Sequence, residues 1–173
     1  MKSAKRAFDL YRQFTEREGY EFSRSQLGWA VPIYVAETDE IARRELKPHV
    51  EAFFNKFLRT PLEMRFPPGY ASIASMKVSI ETKYAIRKNY MTIESLLDLG
   101  MIVAGSAATV RERLAAYSEE LGVGTLIAML QVATLPADLT EKNLRLFARD
   151  VMPFLQAKGA REPQRNAAQA LPA

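Results

Sequence analysis

The chain has 173 residues, of which 48% are hydrophobic and 25% charged, so it is long enough to form one ordinary domain with its own core. It has no cysteine, which excludes disulfides and thiolate metal sites, and its 24 basic and 20 acidic residues are mixed along the chain, a pattern that argues against nucleic-acid binding. The polar amino terminus and the absence of a bilayer-length apolar run predict a cytoplasmic protein with no membrane partner.

The first part of the chain predicts a helix, a strand and a second helix. Apolar residues line one side of Lys2–Glu18, and a glycine follows it, as expected of a helix and its end. Trp29–Ala36 is a short apolar run that favours a strand, in which Pro32 belongs at the beginning or at an unpaired edge position because it lacks an N–H. Thr38 then caps a helix that we expect to continue to Phe57.

The middle of the chain gives the weakest signals. Arg59–Tyr70 contains three of the nine prolines and is therefore predicted to be a loop, either a lid over a site or a surface elaboration. In the first case, Arg65 and Tyr70 could reach toward an anionic ligand. Ser72–Tyr90 has only a weak helical period, whereas Thr92–Leu99 predicts a short helix.

The clearest pattern is a strand, a helix and a strand in succession. The apolar run Met101–Ala104 stops at Gly105 and Ser106, where the serine can cap a helix that ends at Gly122. A second apolar run, Leu126–Leu130, follows at once. Neither run alternates between apolar and polar residues, which is typical of strands buried on both faces of a parallel sheet. We interpret this stretch as a βαβ unit.

The end of the chain predicts one more helix and a tail. Thr140 is a suitable cap for a helix that extends to Leu155, and Ala157–Ala173 has the composition of a disordered tail. Residues 1–156 thus form the predicted domain, with an excursion at residues 59–91. Alternation of strands and helices predicts an α/β fold with parallel strands, either a (β/α) barrel or a doubly wound sheet. Three strands complete neither, since a full barrel takes about 250 residues.

At this point the sequence resembles the carboxy-terminal portion of the luciferase-like monooxygenases, which are flavin-dependent enzymes built on an eight-stranded (β/α) barrel. The matching pieces occur in family order. They are YVAETD at Tyr34–Asp39, PPGY at Pro67–Tyr70, VAGS at Val103–Ser106 with Val110 and Arg113-Leu114, the step Gly122-Val123-Gly124, Leu135-Pro136, and NLRLFARDVMPFL at Asn143–Leu155.

The resemblance implies a position in the barrel for each element. Lys2–Glu18 would be the fifth helix, Val31–Ala36 the sixth strand, Met101–Ala104 the seventh and Leu126–Leu130 the eighth, so the chain would be an incomplete barrel of strands 6–8 with helices 5–8. Ala107 departs from the family, which commonly has proline there. Strands one to five, on which most flavin-phosphate contacts and much of the substrate pocket are expected, are not matched.

The resemblance also implies a cofactor and candidate residues. Reduced FMN supplied by a reductase, or a related deazaflavin, would oxidise a small organic substrate with O2 at the carboxyl ends of the strands. Gly105 and Ser106 are candidates because a helix amino terminus can receive an anion, although the residues favour Ser106 as a helix cap without a ligand. Gln131 is a candidate for the flavin ring, or else a polar loop anchor. No catalytic residue and no metal ligand is predicted.

Two functional hypotheses follow. The chain is part of a flavin-dependent monooxygenase that is inactive without the other barrel half, supplied by a longer chain, a second polypeptide or a dimer. Alternatively, it is a non-catalytic α/β protein or an interaction module that covers its sheet edges by forming oligomers. Nucleophile elbows and phosphate loops are absent from the sequence. The single histidine, His49, is assigned no chemistry, because the local sequence offers it no orienting partner.

Overall fold

Helices and strands alternate along the chain in the computed structural model, which describes residues 2–58, 64, 69, 72–77 and 90–159. This confirms the predicted alternation. The elements are α1 (Lys2–Arg17), a 3₁₀ turn (Arg24–Gln26), β1 (Gly28–Ala36), α2 (Asp39–Ala52) with a π-helical extension (Phe53–Phe57), α3 (Ile93–Asp98), β2 (Val103–Ser106), α4 (Ala107–Leu121), β3 (Thr125–Met129), α5 (Ala137–Leu146), a π-helical segment (Phe147–Val151) and α6 (Met152–Gly159).

The three strands form one open parallel sheet in the order β2-β1-β3, which confirms the predicted α/β class. Consecutive barrel strands would instead place β2 in the middle. β1 takes that place, and it pairs with β2 through residues 33–36 and with β3 through residues 28–32. The order of the strands therefore differs from the one that the barrel positions six, seven and eight imply.

Helices cover both faces of the sheet, because successive side chains of β1 point to opposite faces. Tyr34 and Ala36 pack against α2, together with residues of β2 and the segment around α3. Ile33 and Val35 belong to a second cluster that includes α4 and the π-helical segment before α6. The central strand is buried on both faces for this reason. Pro32 was expected at the beginning of this strand or at an unpaired edge position, but it is the fifth residue of β1 and is paired with Met129.

β3 was expected to be buried on both faces, and the structure corrects this. Its residues alternate between exposed and half-buried, and the side chain of Ile127 is 54% exposed. β3 is also an edge strand that pairs with β1 alone among the described residues, and its face with Ile127 and Met129 is exposed. A continuous apolar run does not distinguish an edge strand from a central one.

Several boundaries also differ from the predictions. β2 includes Gly105 and Ser106, which pair with the last residues of β1, so it ends two residues later than expected. The last helical region begins at Ala137 and not after Thr140, because Pro136 already has the extended backbone of an N-cap. Residues 157–159, expected in the tail, still belong to α6. Residues 160–173 lie outside the described part, as do the predicted ligand contacts Arg65 and Tyr70.

Candidate functional site

Ligand sites in parallel α/β sheets lie at the carboxyl ends of the strands, so a site is expected at this edge of the sheet. Thr38 and Asp39 follow β1, Ser106 is the last residue of β2, and Gln131 follows β3. Because β1 lies between the other two strands, the predicted residues Ser106 and Gln131 lie on opposite sides of it. The structure therefore does not gather the candidate residues into one cluster.

Asp39 occupies the helix end at which an anion was expected. Its Oδ1 accepts the backbone N–H of Ser106 at 2.6 Å, and its Oδ2 accepts the hydroxyl of Thr109 at 3.0 Å. The backbone N–H of Ser106 is the main cause that lowers the pKa of the Asp39 carboxyl, with the Thr109 hydroxyl adding to the effect. The group is therefore a carboxylate at neutral pH.

Ser106 acts as a helix cap. Its Oγ accepts the backbone N–H of Thr109 at 3.3 Å, which is the alternative that the sequence left open. Gly105 has φ of 155°, and a Cβ on it would lie 2.6 Å from Oδ1 of Asp39. A flavin phosphate placed at Ser106 would compete with Asp39 for the Ser106 N–H, and it would lie beside a negative charge. In this arrangement, Gly105 and Ser106 do not fit the phosphate.

Gln131 is an exposed residue whose amide holds its own loop. Its Nε2 donates to the carbonyl of Ala133 at 2.9 Å, and Ala133 has the positive φ of 49° that such a tight loop needs. This contact corresponds to the loop-anchor alternative. A role of Gln131 toward a flavin ring stays a prediction.

A polar cluster around Tyr34 was not foreseen from the sequence. The buried Tyr34 hydroxyl donates to Glu45 at 2.8 Å, and Lys142 bridges Glu45 at 2.7 Å and Glu37 at 3.1 Å. Burial, and then the Glu45 carboxylate, raises the pKa of Tyr34, so the phenol keeps its proton. Burial acts to lower the pKa of Lys142, but the hydrogen bonds to Glu45 and Glu37 raise it overall. The cluster ties α2 and α5 to β1.

No spacing rule could have found this cluster, since Glu45 and Lys142 are 97 residues apart in the sequence. The motif around Tyr34 and Glu37 was the only available signal.

Asn143 fills the crevice between the carboxyl ends of β1 and β3. Its Oδ1 accepts the N–H of Val35, and its Nδ2 donates to the carbonyls of Ile33 and Leu130, each at 2.8 Å. The residue has no exposed surface. In doubly wound sheets a ligand binds in a crevice of this kind, at the point where the strand order reverses. In this chain, the Asn143 amide from α5 lies in the crevice, and it makes the hydrogen bonds that a further strand would make with β1.

A second region lies beside the end of α2, where Glu51, Asn55 and Tyr90 line a depression of about 330 Å³. Its polar groups already serve the chain. Glu51 accepts the N–H of Ile93 at 3.0 Å and the Tyr90 hydroxyl at 3.2 Å, while Asn55 exchanges two hydrogen bonds of 2.9 Å with the backbone of Met91. These contacts hold the chain as it returns from the excursion.

His49 contacts Thr134, although the local sequence showed no partner for it. Its Nδ1 lies 2.8 Å from the Thr134 hydroxyl, and both residues lie near the surface. One orienting contact at the surface defines no reactive group.

No group of three or more acidic or histidine side chains in the described segments is arranged to hold a metal ion. Within these same segments, none of the helices has both the length and the apolar character that crossing a membrane requires.

These elements define the class of protein: an α/β protein with a three-stranded open parallel sheet, consistent with part of a (β/α) barrel. No protein-family model and no curated protein matches the sequence significantly. Solved structures do match the fold.

The first similar structure is a type II Baeyer-Villiger monooxygenase, the oxygenating constituent of 3,6-diketocamphane monooxygenase from the CAM plasmid of Pseudomonas putida, in complex with FMN. The TM-score is 0.57 at 22% identity, over 87% of this chain and 39% of that one. The second is monooxygenase RslO1 from Streptomyces bottropensis, with a TM-score of 0.56 at 16% identity, over 88% of this chain and 38% of that one. The resemblance to flavin-dependent monooxygenases is thus confirmed at the level of the fold, and this chain spans about two fifths of the length of these neighbours.

Proposed function

We propose that this chain is part of a luciferase-like, flavin-dependent monooxygenase that oxidises a small organic substrate with O2 in the cytoplasm. Reduced FMN from a reductase, or a related deazaflavin, would supply the electrons that reduce the second oxygen atom to water. The observation that carries the proposal is the similarity of nearly nine tenths of this chain to two monooxygenases, one of them in complex with FMN.

We further propose that the 173-residue chain does not bind flavin by itself. The N–H of Ser106 is held by the Asp39 carboxylate, and the crevice between β1 and β3 is filled by Asn143. The matched region is also less than two fifths of each neighbour. The contacts to the flavin phosphate then come from a companion segment that carries the other βα units.

Flavin titration of the purified chain tests the proposal. We expect the fluorescence of FMN to be unchanged by the chain alone and to be quenched or shifted once a polypeptide with the preceding βα units is added. Trp29, the single tryptophan, is buried in β1 and reports whether the chain is folded in both samples. A folded complex of the two polypeptides without measurable flavin affinity would contradict the proposal.

The exposed edge of β3 favours a second candidate function, that of an oligomerising α/β module without catalysis. Ile127 and Met129 lie on the same face of this strand and are 54% and 39% exposed. No charged residue lies within β3 to prevent pairing with another strand, whereas edge strands are usually protected in that way. In the described residues, the outer backbone groups of β3 have no strand partner.

Replacing Ile127 by lysine is expected to reduce self-association. A charge on this exposed face would have to be buried if another strand covered it, which is unfavourable. Sedimentation velocity at several concentrations should show the original chain associating and the Ile127→Lys variant remaining monomeric. Leu144→Lys is the matched control, because Leu144 is a similarly exposed apolar residue, 47% exposed, on α5. Equal association of all three proteins, or a monomeric original chain, would speak against the module.

A further inference from the structure

The amino termini of two long helices meet at the carboxyl edge of β1 and β2. α2 begins at Asp39 after the Thr38 cap, and α4 begins at Ala107 after the Ser106 cap. Helix amino termini of this kind favour negative charge, and free N–H groups there commonly bind phosphate. The sequence made Gly105 and Ser106, at the start of α4, candidates for cofactor binding, although the resemblance placed most flavin-phosphate contacts on strands one to five.

The carboxylate of Asp39 stands where such a phosphate oxygen would be. It is in the first turn of α2, and it reaches across to α4, where it accepts the Ser106 N–H at 2.6 Å and the Thr109 hydroxyl at 3.0 Å. Both carboxylate oxygens are therefore engaged, one by the N-cap residue Ser106 and one by Thr109 in the first turn of α4. The chain places an anionic group of its own at this helix end.

Space and charge both oppose a second anion at this place. The α-carbon of Gly105 packs so closely against Asp39 that even a methyl group would lie 2.6 Å from Oδ1 and 3.0 Å from a side-chain carbon of Thr109. After the hydrogen bonds from Ser106 and Thr109, the positive charge of Arg43, one turn further along α2, also lowers the pKa of the Asp39 carboxyl. A phosphate that accepted the Ser106 N–H would meet the carboxylate at about hydrogen-bond distance, where like charges repel strongly.

We infer that Asp39 closes the amino terminus of α4 to external anions, so that Gly105 and Ser106 do not hold a flavin phosphate in this chain. The inference rests on the proposed function only in its choice of flavin as the excluded group. Asp39 is then a residue that determines where the phosphate can bind, and the phosphate contacts of a complete flavin site belong to another part of the protein.

Titration with inorganic phosphate, followed through the backbone amide signal of Ser106 by NMR, tests the inference. At constant ionic strength, we expect no saturable shift in the original chain. Asp39→Ala removes the carboxylate and should give a saturable shift, with a dissociation constant at least about tenfold below the highest phosphate concentration that leaves the original chain unsaturated. Asp39→Asn removes the charge but keeps an acceptor, so it should give a smaller gain in phosphate affinity, about threefold. It serves as the test variant if Asp39→Ala does not fold.

Asp138→Ala is the matched control, because Asp138 is an exposed acidic residue in the first turn of α5. It should leave phosphate binding at Ser106 as weak as in the original chain. A saturable shift of the Ser106 amide in the original chain would overturn the inference. So would the absence of any gain in the folded Asp39 variants, or an equal gain in Asp138→Ala.

Phosphate binding and flavin binding can fail independently. Flavin binding by the chain with its companion polypeptide tests the proposed function, whereas the phosphate titration uses this chain alone. If the companion complex binds FMN and the original chain shows the Ser106 shift, the function stands and the role of Asp39 falls. If the complex binds no flavin but Asp39→Ala gains phosphate binding, the role of Asp39 stands and the function falls.

Discussion

Replacement of Asn143 by alanine is expected to lower the free energy of unfolding by at least about 3 kcal/mol. Its amide is fully buried and makes three hydrogen bonds of 2.8 Å, to the N–H of Val35 and to the carbonyls of Ile33 and Leu130. Each of these backbone groups would lose its partner inside the protein, and a buried unpaired polar group costs about 1–3 kcal/mol. Against a typical total of about 5–15 kcal/mol, the variant would be partly unfolded at 37 °C.

Urea unfolding followed by the fluorescence of Trp29 measures this effect, since Trp29 lies in β1, the strand that Asn143 contacts. Gln131→Ala is the matched control. It removes the same kind of amide from an exposed loop position with one hydrogen bond to Ala133, and should change the free energy of unfolding by less than about 1 kcal/mol. If the free energy of unfolding falls equally little in both variants, Asn143 does not hold β1 and β3 together.

Replacement of Gly105 by alanine should lower the free energy of unfolding by about 2–4 kcal/mol. Gly105 has φ of 155°, which side chains rarely adopt, and the new Cβ would lie 2.6 Å from the Asp39 carboxylate. Because the carboxylate must move away, the variant should also lose its hydrogen bond with the Ser106 N–H. We therefore expect a lower melting temperature together with a changed amide signal of Ser106.

Gly28→Ala provides the control for the Gly105 variant. Gly28 is also in a strand, but its φ is not in the left-handed region, and the nearest atoms to a new Cβ are 3.8 Å away, which is an ordinary contact. The free energy of unfolding should change by less than about 1 kcal/mol. Should Gly105→Ala be as stable as Gly28→Ala, the close packing of Gly105 against Asp39 would be refuted.

The sequence predicted the elements that rely on local signals. The cap residues Thr38 and Ser106, and the glycine at position 122 with its left-handed backbone, mark the ends of α2 and α4 where they were expected. Pro136 was the exception. It begins α5 without a side-chain cap, and Thr140 offered a stronger local signal at the wrong position.

The site depended on contacts that are distant in the sequence. Asp39 and Ser106 are 67 residues apart, and Asn143 is 108 residues from Val35. Ser106 was correctly placed at a helix end, but the partner of its N–H could not be known from the residues around it. A hydrogen bond between such residues exists only once the strands that carry them are paired.

The sequence by itself determined the alternation of three strands with helices, the parallel α/β class and the resemblance to flavin-dependent monooxygenases, because apolar runs, helical periods and caps are properties of neighbouring residues. The tertiary structure alone decided that β1 is the central strand, that Ile127 is exposed on an edge strand, that Asp39 holds the Ser106 N–H, and that Asn143 fills the crevice between β1 and β3. The order of the strands, the exposure of a side chain and the group that occupies a crevice all depend on which distant segments meet. The free energy of packing, not local preference, selects these contacts.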